Sequence, residues 1–328
     1  MPCKNTAALL KALADKYETP DFLTDDPSQF MHRFADPVDQ ELFAFVAAQL
    51  AFGKRELFIA KLNKLYDAVM DCKPKTARAE SEGKLKTAGA AKSVGKPKTC
   101  GASFAGWLAS GGHQKFFPKS QKKFYRFFSY ADMNALCGRL AQIVEEHGSL
   151  GAAVRARYGQ EIVCKPKTAG GARCGVAKSS GNAKNEGTTK SEGAAPLGLA
   201  TASGIATVPP ELRLVAALIS LFPGVKCVSQ NPKGACKKLH MFLRWMVRRG
   251  SPVDLGLWDW ASAADLLMPL DTHVLQESAR LGLIAPNAAA SAKTAIELTK
   301  KMAQVFAGDP TRADYALFGL GVDGREKR

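Results

Sequence analysis

Two segments in the C-terminal third of the chain carry residue types that together could do covalent chemistry. One is 231–249, where Lys237 and Lys238 stand at the head of an apolar run; the other is 267–274, which ends in Asp271-Thr272-His273. A deprotonated lysine amine attacks electrophilic carbon and forms Schiff bases. A carboxylate beside it can take the proton and stabilise developing positive charge. At about 100° per residue, Met241, Arg244 and Arg248 fall within about 40° of Lys237, while Leu239, Phe242, Leu243 and Met246 fall on the opposite side. The spacing predicts a helix with an apolar spine and a basic stripe, its Arg244 and Arg248 placed for phosphate. Asn231, Pro232 and Gly234 precede it, and Gly234 is expected to leave backbone amides open to an anion. The plain alternatives are a surface helix with solvated charges, Asp271 as the cap of a helix over 272–281, and His273 as a surface residue of its first turn.

The elements that must position these groups read as helices almost throughout. Ala7, Leu9, Leu10, Leu13 and Ala14 recur at helical spacing over 5–17,. Asp36 then caps a helix opened by Pro37, with Asp39 and Glu41 complementing its dipole. That helix runs to Phe52, breaks at Gly53 and resumes over 55–70. Further helices are expected over 131–147, 209–222, 235–249, 261–268, 272–281, 290–306 and 309–319. Asp309-Pro310 opens the last, where Asp314 either pairs with an arginine or orients a reacting group. Arg55, just after Gly53, either touches phosphate or sits on the surface. Period-two runs of β-branched residues are missing, so the body is expected to be all-α.

The chain has 328 residues and a formal net charge of +16, from 46 Lys+Arg against 30 Asp+Glu. Such an excess points to an anionic partner, yet its distribution is uneven. Residues 72–102 hold a net +6 and residues 164–208 a net +4. Both are rich in Ala, Gly, Ser, Thr and Lys, lack aromatics, share the motif Lys-Pro-Lys-Thr and are expected to be disordered basic inserts,. They are either nonspecific DNA-binding tails or tolerated surface insertions. The remaining body carries only +6. The longest apolar run, Leu42 to Phe52, is too short to span a bilayer, so no membrane association is expected and the protein is expected to be cytoplasmic,. The eight cysteines contain no CxxC pair, so reduced thiols and no bound metal are expected,.

The whole chain outside the two inserts resembles a bacterial family of unknown function, through residues 36–55, 236–248, 254–260, 269–274, 298–299 and 309–321. More distantly, Leu-Asp-Thr-His-Val at 270–274, preceded by a lysine at the head of an apolar helix, resembles the helix-hairpin-helix DNA glycosylases of the endonuclease III and archaeal 8-oxoguanine glycosylase type. That likeness implies a single two-lobed helical domain and base excision with an abasic-site lyase step. It makes Lys237 the nucleophile by helical phase, Lys238 the second candidate, and Asp271 the essential carboxylate, with His273 following. DNA is the implied partner in preference to RNA; no cofactor is implied, because the cysteines of an iron–sulfur loop are absent. Trp245, Trp258 and Trp260 are either core residues or platforms for an extruded base. The chain departs from that pattern at the hairpin: Phe222-Pro223-Gly224-Val225 is similar to it but stands about a dozen residues before Lys237. A nucleic-acid-binding protein that keeps the scaffold without chemistry is the alternative.

Overall fold

A computed structural model describes residues 2–71, 103–159, 162–164, 174–176 and 206–326, and these are mostly helical. The helices are α1 (Lys4–Tyr17), α2 (Pro37–Leu50), α3 (Arg55–Met70), α4 (Phe104–Ala109), α5 (Gly112–Phe116), α6 (Tyr130–His147), α7 (Leu150–Tyr158), α8 (Arg213–Ser220), α9 (Lys237–Val247), α10 (Thr272–Arg280), α11 (Ala292–Met302) and α12 (Ala313–Glu326). Short strands β1 (Lys123–Tyr125) and β2 (Phe128–Ser129) form an antiparallel hairpin. β3 (Ile162–Cys164), β4 (Cys174–Val176) and β5 (Ala206–Thr207) form a small antiparallel sheet in the order β4-β3-β5.

These strands correct the all-α expectation. Alternation over two or three residues is too brief to register as a period. They also correct the reading of 164–208 as wholly disordered, because Cys164, Cys174–Val176 and Ala206–Thr207 lie in it. The rest of that segment, apart from Val208, and all of 72–102 lie outside the described residues. The helix expected over 261–268 is a single 3-10 turn at Ala263–Asp265, capped by the Ser262 side chain. The backbone before Pro269 is disfavoured in the helical region, and 266–270 runs through the interior without helix,.

The interior is one apolar cluster reaching from Leu10 in α1 to Leu317 in α12. At its centre lies α2, buried from Leu42 to Leu50. Asp36 caps it as expected, accepting from the amide of Val38 at 2.8 Å. Asp39 and Glu41, however, do not serve the dipole of their own helix from the surface: both are 4% exposed. Asp39 accepts from Ser103 Oγ (2.9 Å) and the amide of Ala105 (2.8 Å), at the start of α4. Glu41 accepts from the amides of Leu150 and Gly151 at the start of α7, the latter at 3.0 Å, and from the indole of Trp258 at 2.9 Å. A helix surrounded by other helices has no wet face, so its carboxylates are satisfied by the orphan N–H groups of its neighbours. Gly151 allows this approach, since a Cβ there would stand 2.5 Å from Trp258 Nε1.

Glu41→Ala would leave three buried N–H groups without an acceptor. Loss on the order of 3 kcal/mol is expected in urea unfolding, against a smaller loss for Glu41→Gln. Equal stability of wild type and Glu41→Ala would overturn this account of the core.

Candidate active site

α9 runs through the molecule rather than over it: every residue from Leu239 to Val247 is buried. Arg244 and Arg248, expected on a solvent-facing stripe, are each 3% exposed. The helical phase is as expected, but the face they share is covered by other elements that supply carboxylates. Arg244 pairs with Asp314 of α12 and, at 3.3 Å, with Asp254. Arg248 pairs with Asp254, with Glu18 at 2.8 Å and with Asp309 at 2.7 Å. The Tyr315 ring lies 4.4 Å from the Arg244 guanidinium and 5.5 Å from that of Arg248. Burial alone would depress both arginines, yet the surrounding carboxylates hold them firmly charged. Burial raises the Asp314 carboxyl to about 6, although Arg244 draws it down. The phosphate-contact role expected of Arg244 and Arg248 therefore has no exposed guanidinium to carry it.

The N-terminal end of α9 is different. Cys236 precedes it with φ +43, a left-handed conformation uncommon outside glycine, and no side chain caps the helix,. Lys237 and Lys238 leave this start in different directions. The Lys237 amine meets Asp271, with Nζ 3.1 Å from Oδ2 and both side chains about one-third exposed, at 35% and 32%. Asp271 also caps α10, its Oδ1 accepting from the amide of Val274 at 2.8 Å. The capping role and the pairing role thus hold together, one on each carboxylate oxygen. Burial pushes the Asp271 carboxyl up, but the Lys237 ammonium, the Val274 amide and nearby His273 outweigh it and hold the group below its ordinary value.

Lys238 turns inward. Its amine donates to the carbonyl of Gln49 at 3.1 Å and lies 5.0 and 4.9 Å from the rings of Phe52 and Phe128. Burial pushes this amine down to about 8. Lys237, and not Lys238, is therefore brought to Asp271. His273 sits exposed in the first turn of α10. Gly234, expected to leave its amide open, instead donates it to the carbonyl of Asn231 at 3.1 Å and forms a bridge with Ser291. Phe222-Pro223-Gly224-Val225 forms a turn with Gly224 at φ +74, organised by Gln230, whose amide donates to the carbonyls of Phe222, Val225 and Val228. Trp245 and Trp258 are core residues, 0% and 2% exposed, and Trp260 stacks on Trp258 at 5.5 Å. Arg55 is exposed and lies 6.0 Å from the Phe318 ring.

The residues that sequence reasoning missed are the acids Glu18, Asp254 and Asp309 around the arginines, and Gln49, Phe52 and Phe128 around Lys238. The signal for the first group was two arginines at i and i+4 on a helix too apolar to float. Such charges, if buried, demand carboxylates from elsewhere in the chain.

A family model described as a protein of unknown function (DUF2400) matches residues 26–94 and 219–323, more than half of the chain. The chain belongs to the DUF2400 family. The matched segments carry Lys237, Asp271, Arg244, Arg248, Asp254, Asp309 and Asp314, whereas Glu18 and the β1–β2 hairpin lie outside them. The first match continues to residue 94, which corrects the expectation that the lysine-rich segment 72–102 lies wholly outside the family. No curated protein and no solved structure matches the chain. Among the described residues, no helix is long and apolar enough to cross a membrane.

Two outcomes follow from this geometry. Arg248→Ala would strand buried carboxylates and cost about 3–5 kcal/mol in urea unfolding, where a surface arginine would cost under about 0.5 kcal/mol. For Lys238, the folded chain binds fewer protons than the unfolded chain between about pH 8 and 10.5. Stability therefore rises with pH across that window. Lys238→Met lacks this gain, so its stability relative to wild type is expected to fall by on the order of 2 kcal/mol between the two ends of the window. A pH-independent difference, read by denaturation at each pH, would contradict the buried amine.

Proposed function

We propose that this chain is a nucleic-acid base-excision enzyme, a DNA glycosylase with an abasic-site lyase step, in which Lys237 is the nucleophile and Asp271 its carboxylate partner. The observation that carries the reading is the 3.1 Å approach of Lys237 Nζ to Asp271 Oδ2, with both side chains about one-third exposed to solvent. Lys237 and Asp271 stand 34 positions apart in sequence, one opening α9 and the other capping α10, and their approach supports the reading.

The chemistry follows from the two groups. A base in a duplex must leave the stack before its glycosidic bond can be reached. Asp271 takes a proton from the Lys237 ammonium, and the neutral amine attacks the sugar C1′. The C1′–N bond breaks, its electron pair leaving with the base, which takes up the proton that Asp271 removed from Lys237. The attached nitrogen passes a second proton to O4′ as the C1′–O4′ bond breaks and the ring opens to a Schiff base. At the lyase step C2′ then loses a proton as the C3′–O bond breaks and the 3′ phosphate leaves. Returned to its carboxylate once the base has taken the Lys237 proton, Asp271 stabilises the cationic Schiff base of the opened sugar. His273, exposed in the first turn of α10, is assigned to contact with the backbone of the bound strand. With Arg244, Arg248 and the Gly234 amide engaged inside the protein, phosphate binding falls to other cations of the surface.

Borohydride trapping with oligonucleotides carrying an abasic site and a panel of damaged bases tests the reading. A covalent adduct is expected with wild type, absent in Lys237→Ala and retained in Lys238→Met; Asp271→Asn is expected to slow adduct formation by roughly a hundredfold or more. Absence of both adduct and base release across the panel would remove the enzymatic reading. Retained DNA binding in that case would favour a binding protein without chemistry.

A further inference from the structure

The tip of the β1–β2 hairpin holds the most exposed large apolar side chain among the described residues: Phe127 is 69% exposed, ahead of Leu57 and Leu9. A lone exposed apolar residue asks for no explanation in itself. Phe127 differs in how firmly it is held and in what surrounds it. Its ring stacks on Phe52, with centroids 6.0 Å apart and planes 3° from parallel. The preceding residue, Arg126, adopts φ +47 without being glycine, and its guanidinium lies 5.9 Å from the Phe52 ring and 5.7 Å from that of Phe127. The Tyr125 hydroxyl donates to the carbonyl of Phe52 and ties the hairpin to the end of α2. Gly53 makes room for this: a Cβ there would stand 2.6 Å from Arg126 Nη1 and 2.8 Å from the Tyr125 hydroxyl. A left-handed arginine costs backbone energy and persists only where the surroundings enforce it.

The surroundings are also strongly cationic. Lys54, Arg55, Lys119, Lys122, Lys123 and Arg126 are all exposed, and Glu56 is the one acid in 52–57 and 119–129. The same Phe52 ring is also approached, at 5.0 Å, by the amine of Lys238, the immediate neighbour of Lys237. An aromatic platform ringed by cations suits a polyanion that itself carries flat rings, since bases stack on the ring while lysine and arginine neutralise phosphates. A protein partner of ordinary composition would instead meet a small apolar spot fenced by like charges.

We propose that the β1–β2 hairpin is the element that enters a DNA duplex at a weakened pair, Phe127 stacking in the space left by the displaced base and Arg126, Lys122 and Lys123 holding the flanking phosphates. This rests on the reading of Lys237 and Asp271 as the site of chemistry, and it assigns to the hairpin the task of opening the stack beside that site.

The test uses the full-length protein and a duplex carrying 2-aminopurine next to an abasic site, with binding read by anisotropy and unstacking by 2-aminopurine fluorescence. Wild type is expected to bind and to change the fluorescence. Phe127→Ala is expected to bind roughly tenfold more weakly and to lose the fluorescence change, and Phe127→Trp to keep both. Leu9→Ala, which removes another exposed apolar side chain, is expected to behave as wild type. Removing Lys122 and Lys123 together is expected to lower the slope of log K against log salt by about 2. Binding and fluorescence unchanged in Phe127→Ala would overturn the hairpin proposal, even where wild type forms the borohydride adduct. Conversely, loss of both in Phe127→Ala with no adduct in wild type would support the hairpin and remove the chemistry. If wild type binds no DNA, both fall.

Discussion

Two guanidinium groups inside the protein set the terms for everything around them. Moving Arg244 and Arg248 out of water costs several kcal/mol each unless carboxylates meet them with good geometry. Glu18, Asp254, Asp309 and Asp314 do so, and they come from four places in the chain: the end of α1, the segment after α9, the turn before α12, and α12 itself. Arg312 adds a further tie to Glu18 at 2.7 Å, and the Tyr315 ring packs on both arginines. The network therefore clasps the beginning and end of the chain onto α9, where α1 and α12 already pack on each other. A chain that loses one of these charges keeps the others buried and unpaired, which is why the arrangement is cooperative rather than a sum of pairs.

That constraint places the candidate site. With α9 held by its C-terminal half, its N-terminal half is aimed at a fixed place, and α10 packs on α12 so that Asp271 arrives beside Lys237. The same helix serves two environments: a dry ionic interior near Arg248 and a half-open amine–carboxylate pair near Lys237. Asp314 links them, since its buried carboxyl binds Arg244 and feels the charges of Asp271 and Lys237. Lys238 takes another direction from the same helix start, its amine against the rings of Phe52 and Phe128 with the Gln49 carbonyl as acceptor.

How much of this was legible in the sequence differs element by element. The helical patterning of α1, α3, α6 and α9 through α12 can be read directly because each is long enough for the apolar positions to repeat. The start of α2 is equally plain, since Asp36 and Pro37 act through the chain within one turn. β1 and β2 are not legible: their pairing is held by the Phe52 stack and the Tyr125 hydroxyl, both of which depend on a segment about 70 residues away. Residues 261–268 mislead because their Ala and Leu content favours helix, whereas Pro269 and the amide of Met268, which donates to Thr299 Oγ1 at 2.9 Å, favour an extended path.

The sequence by itself determined the types and the phase: a lysine at the head of an apolar helix, arginines one turn apart on its opposite side from the leucines, and an aspartate at the start of a later helix. These are local properties, set by the 3.6-residue turn and by capping within four residues. Only the tertiary structure decided what each charge faces. It turned the arginine stripe inward onto four acids, spent Asp39 and Glu41 on the ends of other helices, and chose Lys237 over Lys238 as the partner of Asp271. A helical wheel gives the direction of a side chain but not the medium it enters, and for a charge the medium decides whether it is a binding group or a structural one.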